Sequence, residues 1–277
     1  MQTGQSVLVT GQMIGDYHQR SYSIVDLNEQ GEIILGIKAQ GKVSDVLCHE
    51  KNLIVEISQA QGDFVLKQGQ TSALLIASGS GITAIYAMLK QALNQNLKQV
   101  WLLYFNRHPV FHVELSELAK QYPQFQYQFI NTTIRKTHFS QQLLADFCPT
   151  WQNTSAYLCG SSALMQSVKN VYREKSCDDY LHSEYFQPIY SHDVIEQVVT
   201  FRRSQRDFIA DKSLLESAEQ VGLKPSHGCR MGICNTCTCQ KVSGITKNML
   251  TGEIESEDNR PIKLCISQAM SPVVIDL

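Results

Sequence analysis

The sequence predicts a multidomain fold that joins β structure to an α/β domain. Three observations support this prediction: short aliphatic runs between turn residues up to about residue 70, strands that alternate with helices after it, and a cysteine cluster in the last fifty residues. A chain of 277 residues is also longer than one ordinary domain needs. The predicted modules are residues 1–70, 71–185 and 190–277.

The composition is that of an average globular protein, with 43% hydrophobic and 18% charged residues. The net charge is −2 and no basic run of five residues occurs, which argues against a nucleic-acid partner. The uncharged apolar runs are much shorter than the roughly 20 residues of a membrane-spanning helix. The first residues lack the basic and apolar segments of a secretory signal. We therefore expect a cytoplasmic protein without a transmembrane segment.

Residues 1–70 are expected to form a small antiparallel barrel or sandwich. Aliphatic and β-branched runs at 6–10, 33–37 and 53–57 alternate with Gly, Asn and Asp. This pattern is typical of short strands joined by tight turns.

Residues 71–185 are expected to form a doubly wound parallel sheet, because strands and helices alternate. Strands are predicted at 73–77, 100–105, 125–131 and 156–159. Helices are predicted at 82–93, 114–121 and 163–175. The pattern changes at Asp178, and 184–188 is predicted to be a linker.

The C-terminal module is expected to begin with a hairpin formed by 194–201 and 206–209. Ser213 and Glu216 have the spacing of a capping box, which predicts a short helix from that point. Gly222 is expected to end this helix, and a cysteine-rich loop follows at once.

This loop carries Cys229, Cys234 and Cys237 at the spacing C-x4-C-x2-C, and Cys265 follows later. Nine cysteines without a secretory signal indicate thiolate ligands rather than disulfides. The spacing is that of a plant-type [2Fe–2S] cluster held by four thiolates. A zinc site made from four of the five cysteines is the alternative, although zinc usually favours two well-separated pairs. Cys239 is expected to be an inert thiol, with a spare ligand as the other interpretation.

A second motif lies where a predicted strand meets a predicted helix. Gly79, Ser80 and Gly81, followed by Ile82 and Thr83, place backbone amides at a helix N-terminus, which suits a phosphate or pyrophosphate. The alternative is that the glycines serve only close helix–strand packing. Cys159 and Gly160 end a later strand, at the sheet edge where ligands of open α/β sheets bind. A buried apolar thiol is the alternative for Cys159.

These motifs resemble the nicotinamide-nucleotide domain of the ferredoxin–NADP reductase superfamily. The resemblance implies that 79–83 hold the pyrophosphate of NADPH or NADH and that Cys159 and Gly160 lie near the nicotinamide. Ala84 and Ser161 replace two prolines of the family pattern, which removes no backbone donor. Arg107 ends the second strand and is expected to pair with the 2′-phosphate of NADPH. A solvated surface arginine is the alternative.

Residues 20–23 resemble the R-x-Y-S motif of the same superfamily. The resemblance implies that Arg20 binds the FAD pyrophosphate, that Tyr22 packs on the flavin and that Ser23 bonds near N5. Lys38, Val43 and Ser44 fall in the segment that resembles the family's second FAD contact. An exposed strand pair is the alternative for Arg20 and Tyr22.

The N-terminal barrel is expected to be shortened. Family members carry further sequence before the strand that 4–8 resemble, whereas Met1 stands almost on top of it. An incomplete barrel leaves an open sheet edge, which puts FAD affinity in doubt.

Residues 190–277 resemble the β-grasp ferredoxin domain fused to flavin reductases that serve oxygenases and acyl-CoA desaturases. The resemblance implies electron transfer from NAD(P)H through FAD and the cluster to a terminal oxygenase or a membrane-bound acyl-CoA desaturase. The resemblance is strongest at residues 222–229, which favours the desaturase system. Ser23 and Cys159 are the expected catalytic residues. The alternative is a non-enzymatic iron–sulfur electron carrier that has lost FAD binding.

Overall fold

The computed structural model describes residues 4–13, 15–134, 138–186 and 196–277. They divide into two compact units. The first contains residues up to Val9 together with Tyr22–Phe186, and the second contains Thr10–Ser21 together with the described residues after 186. The boundaries of the three modules stay a prediction. Positions 187–188 of the predicted linker and 194–195 of the predicted hairpin lie outside the described residues.

The N-terminal sheet has four strands in the order β3-β2-β1-β4. Its elements are β1 (Ser6–Met13), β2 (Asp16–Leu27), β3 (Ile33–Leu35), α1 (Lys42–His49) and β4 (Glu56–Ile57). Val7, Val9 and Ile24 form a small core on one face. This half-barrel confirms the predicted antiparallel architecture, but α1 was not predicted, because its short and largely polar sequence has no extended apolar periodicity.

The α/β domain contains a parallel sheet in the order β7-β6-β5-β8-β9. Its strands are β5 (Ser72–Ser78), β6 (Gln99–Asn106), β7 (Phe125–Asn131), β8 (Ala156–Cys159) and β9 (Leu181–Glu184). Its helices are α2 (Ile82–Asn94), α3 (His112–Gln121), α4 (Gln141–Phe147) and α5 (Ser162–Glu174). Apolar cores cover both faces, one built with α2 and α3 and the other with α4 and α5, so the prediction of a doubly wound sheet is confirmed.

One strand of this domain was not predicted. Glu184 was placed in a linker, whereas it ends β9, which pairs with β8 as a fifth strand. The sequence of β9, Leu-His-Ser-Glu, lacks the aliphatic run of a central strand, because an edge strand is buried less completely.

The C-terminal domain contains a five-stranded sheet, a three-stranded sheet, one α-helix and a 3-10 turn at Leu264–Ile266 among its described residues. The elements are β10 (Gln197–Phe201), β11 (Arg206–Ala210), α6 (Leu214–Gln220), β12 (Thr238–Ser243), β13 (Thr246–Asn248), β14 (Ile254–Glu255), β15 (Arg260–Lys263), β16 (Ser267–Ala269) and β17 (Val273–Ile275). The larger sheet has the order β11-β10-β17-β12-β15, and β10 pairs with β17 in parallel. Helix α6 packs on the core of this sheet through Leu214, Leu215 and Ala218.

The ends of α6 follow from two residues. The Ser213 hydroxyl accepts a hydrogen bond from the Glu216 amide at 3.2 Å, which is half of the predicted capping box. Gly222 adopts φ +80°, a left-handed angle that ends helices and favours glycine. The cysteine-rich loop that follows Gly222, here named the cluster loop, therefore begins at a fixed helix end.

None of the helices in the described part of the chain has the length and apolar character needed to span a bilayer.

Candidate functional site

The four predicted cluster cysteines are buried and form two pairs. The Cys237 and Cys265 sulfurs lie 3.2 Å apart. The Cys229 amide donates to the Cys234 sulfur at 3.2 Å, and the Cys234 amide donates to the Cys229 sulfur at 3.3 Å. Among the residues that the structure describes, no three His, Cys, Asp or Glu side chains surround one point as they would a single ion. Two thiol pairs match the donor set of a centre with two irons.

The backbone of the cluster loop adopts conformations that allow cysteines close together in sequence to bind one centre. Arg230 and Gly232 adopt left-handed angles, with φ of +59° and +74°. The Met231 amide donates to the Cys229 sulfur at 3.4 Å, and Lys263 donates to the Gly232 carbonyl. A side chain at position 232 would strike Ile266, so glycine is required there for space as well as for angle.

A hydrogen bond joins the two thiols of the second pair. The hydrogen bond with Cys265 lowers the pKa of Cys237 to about 6, and the nearby Lys263 charge contributes to this shift. The same hydrogen bond raises the pKa of Cys265. Thiolates are the form that binds metal, so Cys237 is prepared for ligation and Cys265 must release its proton.

Cys239 behaves differently from these four. It lies on β12, and burial raises the pKa of its thiol to about 12. It takes part in neither pair. These properties fit the expected inert thiol.

The loop is tied to α6 by an ion pair. Arg230 donates through both terminal nitrogens to the carboxylate of Glu219, with one bond of 2.8 Å. Arg230 also lies 2.8 Å from Nε2 of His227. Glu219 was not predicted as part of the site, because the pairing joins residues eleven positions apart.

The nucleotide motif forms a tight structure at the C-terminal edge of the parallel sheet. Gly79–Gly81 make one turn of 3-10 helix between β5 and α2, and Gly79 adopts φ +56°. A side chain at Gly81 would overlap the Cys159 carbonyl, and one at Gly160 would overlap Ser78. The structure therefore brings the two predicted nucleotide segments into direct contact.

Ser78 links the same segments through its hydroxyl. This oxygen accepts a hydrogen bond from the Ser161 amide at 2.7 Å. That amide exists only because serine replaces the family's proline. On the other side, the Thr83 hydroxyl donates to the Ser80 carbonyl at 2.9 Å and fixes the first turn of α2, in which Ile82 is also buried.

A half-buried glutamate, whose carboxyl oxygen Oε2 is covered, lies beside Cys159. Glu184 is the register partner of Cys159 across β8 and β9. Burial raises the pKa of Glu184 to about 8, and its Oε2 has no hydrogen-bond partner in the described ranges. Burial and then the Glu184 charge raise the pKa of Cys159, so this thiol is protonated at neutral pH. The sequence analysis missed Glu184, whose only signal is its place at the end of a strand beside Cys159.

Arg107 lies directly after β6 with an exposed side chain. The Asn106 side chain accepts a hydrogen bond from its amide, and the Asn131 side chain donates to its carbonyl. The backbone is thus fixed while the guanidinium faces solvent.

The predicted flavin residues Arg20, Tyr22 and Ser23 all lie on β2. Arg20 donates to the Gln19 carbonyl at 2.8 Å, and Tyr22 packs against the core of the half-barrel. Ser23 is 4% exposed, and its hydroxyl lacks a partner among the described residues. A buried hydroxyl without a partner fits a residue that is completed by a cofactor.

The second predicted flavin segment surrounds the start of α1. Lys38 lies in the chain between β3 and α1, and Val43 is buried in the first turn. The Ser44 hydroxyl accepts hydrogen bonds from the amides of Gln40 and Gly41 at 3.0 Å. Ser44 thus stabilises the beginning of the helix, a local role that the sequence analysis did not foresee.

Two family models match the chain. An oxidoreductase NAD-binding domain matches residues 75–170, and a 2Fe-2S iron-sulfur cluster binding domain matches residues 200–269. The first range contains the glycine turn and Cys159, and the second contains all four cluster cysteines.

The chain is similar to several reductases. It is 27% identical over 237 residues to an NADPH oxidoreductase of Mycobacterium tuberculosis, and this match covers 81% of the chain and 60% of that protein. It is 24% identical to a phthalate dioxygenase reductase of Burkholderia cepacia, with 94% and 83% covered. A solved phthalate dioxygenase reductase has the same fold, with a TM-score of 0.65, 22% identity, and coverage of 98% of this chain and 87% of the other.

The two domains confirm the iron–sulfur and nicotinamide parts of the predicted cofactor set. The NAD-binding domain precedes the 2Fe-2S domain along the chain, and the solved phthalate dioxygenase reductase shares the fold of both. The chain thus contains an oxidoreductase NAD-binding domain followed by a C-terminal 2Fe-2S iron-sulfur cluster binding domain, and it has the fold of the solved phthalate dioxygenase reductase.

Proposed function

We propose that this protein is an NAD(P)H-dependent reductase that passes electrons through FAD and a [2Fe–2S] cluster to an oxygenase. The observation that carries this proposal is the arrangement of the four buried cysteines in two pairs within the 2Fe-2S domain. NAD(P)H supplies electrons two at a time, flavin accepts the pair, and the iron–sulfur centre takes them singly. The chain contains a candidate site for each cofactor.

At the cluster, Cys229, Cys234, Cys237 and Cys265 supply the four sulfur ligands. The Arg230–Glu219 ion pair holds the loop on α6, and Lys263 holds the Gly232 carbonyl. These contacts fix the spacing of the ligands before metal binds, which reduces the reorganisation that ligation requires.

At the nucleotide, the turn 79–83 would hold the pyrophosphate through its amides. Cys159 and Glu184 lie at the end of the sheet, beside the expected place of the nicotinamide. Both groups are neutral at neutral pH because burial raises their pKa values. A neutral carboxyl can donate a hydrogen bond to a carboxamide oxygen, whereas a carboxylate cannot.

At the flavin, the buried and unpartnered Ser23 hydroxyl supports FAD binding. Arg20, Tyr22, Lys38, Val43 and Ser44 are the other proposed contacts.

The acceptor is proposed from similarity. The relative from Burkholderia cepacia is named as the reductase of a phthalate dioxygenase, which favours an oxygenase over the acyl-CoA desaturase considered from the sequence. A cytoplasmic location, peripheral to the membrane if the acceptor is membrane-bound, stays a prediction.

Anaerobic titration of the purified holoprotein with NADPH and NADH tests the proposal. We expect flavin absorption bands to bleach and a [2Fe–2S] signal to appear in electron paramagnetic resonance. A protein with the cluster but no flavin, and no reduction by either nucleotide, would be the electron carrier instead. A colourless protein that contains zinc would contradict both functions.

Replacement of Arg107 by Ala tests the preference for NADPH. The exposed guanidinium would pair with the 2′-phosphate, which NADH lacks. We expect KM for NADPH to rise about tenfold and KM for NADH to stay unchanged, as measured by steady-state oxidation of each nucleotide. Equal changes for both nucleotides would contradict this role.

A further inference from the structure

A second buried serine lies beside the predicted flavin serine. Ser6 on β1 is 4% exposed, and its hydroxyl has no hydrogen-bond partner in the described part of the chain, as is also true of Ser23 on β2. Such groups are rare in folded proteins, because burial of an unpaired hydroxyl costs free energy. The sequence analysis assigned no role to Ser6.

The register of β1 and β2 makes these two serines neighbours. The Ile24 amide donates to the Gln5 carbonyl at 3.1 Å, which places Ser23 opposite Ser6 in the hairpin. The side-chain bond from Gln19 to Thr10, at 3.0 Å, follows the same register. Residues directly opposite each other in an antiparallel pair point to the same face. The serines nevertheless do not bond to each other.

The face that they share is not the face of the half-barrel's own core. Val7 and Ile24 follow Ser6 and Ser23 in sequence and belong to that core. Because side chains alternate along a strand, the serines point the other way.

Helix α2 lies against the same sheet. A side chain at Gly36 would overlap Thr83, and one at Gly4 would lie 2.7 Å from the end of Met88. Thr83 and Met88 belong to α2, and neither belongs to the core of the half-barrel. All these residues lie in the first unit. The face that carries Ser6 and Ser23, the serine face, is therefore directed to α2, whose first turn with Thr83 directly follows the glycine turn Gly79–Gly81.

We propose that Ser6 is a further flavin-contacting residue, which together with Ser23 presents a pair of hydroxyls to the polar edge of the isoalloxazine ring. The proposal rests on the proposed function, because it requires FAD. A hydride acceptor must lie next to the nicotinamide, and the serine face borders the edge of the sheet that holds this nucleotide. A serine hydroxyl both donates and accepts, so two of them can match the alternating nitrogen and oxygen atoms of such a ring edge.

Three full-length variants test the inference: Ser6→Ala, Ser23→Ala and the control Ser58→Ala. Ser58 lies in the same half-barrel, but its hydroxyl is already bonded, since it accepts from the Leu8 amide at 3.0 Å and donates to the Gln59 carbonyl at 2.7 Å. The measurements are the dissociation constant of FAD, the absorption spectrum of the bound flavin, and thermal unfolding with and without FAD.

We expect Ser6→Ala to weaken FAD binding about five- to tenfold and to shift the flavin absorption bands, as the loss of one hydrogen bond predicts. The same variant without FAD should unfold at an unchanged or higher temperature, because an unpaired buried hydroxyl has been removed. Ser58→Ala should show the reverse, with a lower unfolding temperature and unchanged FAD affinity.

Unchanged FAD affinity and spectrum in Ser6→Ala, combined with weakened binding in Ser23→Ala, would overturn this inference alone. Failure of the wild-type protein to bind FAD would overturn the proposed function together with it. Loss of stability in FAD-free Ser6→Ala would show that the hydroxyl has a structural partner, which also contradicts the inference.

Discussion

Glu184 shows at the scale of one residue how burial changes chemistry. The carboxyl group is covered at the end of β9, and burial raises its pKa from the ordinary 4.5 to about 8. The folded protein therefore keeps it protonated at pH values where the unfolded chain ionises it. Between these two pKa values only the unfolded chain releases the proton, so the free energy of unfolding falls as the pH rises.

This property predicts a pH-dependent difference between the wild type and Glu184→Gln. Between about pH 4.5 and 8 the wild type should lose stability relative to the variant, by at most about 1.4 kcal/mol per pH unit, and above pH 8 the difference should be constant. Urea unfolding at several pH values measures it. The exposed Glu174→Gln, which removes one carboxylate from the same α/β domain, is the matched control. Parallel curves for the wild type and Glu184→Gln would contradict the assignment.

The cysteines permit a second prediction at this scale. Cys237→Ser should abolish the cluster, because its thiol belongs to a ligand pair, whereas Cys239→Ser should retain it, because that thiol lies outside both pairs. Iron content and the visible spectrum after anaerobic purification measure the outcome. Loss of iron in Cys239→Ser would make this residue a ligand.

These residues differ in how far the sequence could reveal them. The cluster cysteines are recognisable because their spacing is local and few other sites share it. Glu184, Ser6 and Glu219 gain their properties from burial or from partners distant in sequence, and no local pattern records those contacts.

At the scale of elements, the start of α6 supports the cluster loop. The Ser213 hydroxyl caps the helix, and Glu219 near its other end binds Arg230 beside Cys229. We therefore expect a less stable N-terminus of α6 to weaken the cluster loop through the Glu219–Arg230 ion pair.

Ser213→Ala should lower the free energy of unfolding by about 1 kcal/mol and should speed the loss of iron to a chelator. Ser140 caps α4 in the same way, accepting from the Leu143 amide at 3.1 Å. Ser140→Ala should cost a similar free energy and leave iron loss unchanged. Denaturant unfolding and chelator-induced bleaching measure both effects. Equal rates of iron loss in the two variants would contradict the proposed support.

The sequence predicted strongly periodic elements well and short polar ones poorly. Strand β5, buried after its first residue, and the amphipathic α2 were both predicted within a few residues of their ends. Helix α1 and strand β9 were missed, because α1 is short and β9 is an edge strand that carries polar residues. Tertiary contacts, rather than local preference, determine such elements.

At the scale of the whole molecule, the two compact units should respond separately to their ligands. We expect calorimetry of the holoprotein to show two unfolding transitions, because each unit has its own apolar core. NADP⁺ should raise the temperature of one transition only, by binding the unit with the nucleotide turn. Cys237→Ser should lower the temperature of the other transition only, which belongs to the unit with the cluster cysteines. A single transition that both changes shift would show that the units unfold together.

Because Cys237 pairs with Cys265, a bound cluster would cross-link distant parts of the chain and stabilise the folded domain. These residues are 28 positions apart, whereas Cys229 and Cys234 are close neighbours in sequence. Iron bound by all four thiolates would act as a covalent staple across the intervening chain, in the manner of a disulfide. The chain-entropy relation for a cross-link of that length gives about 3–4 kcal/mol. Iron delivery would then be part of the maturation of the ferredoxin domain, and cells starved of iron would accumulate a form of it that is more easily degraded.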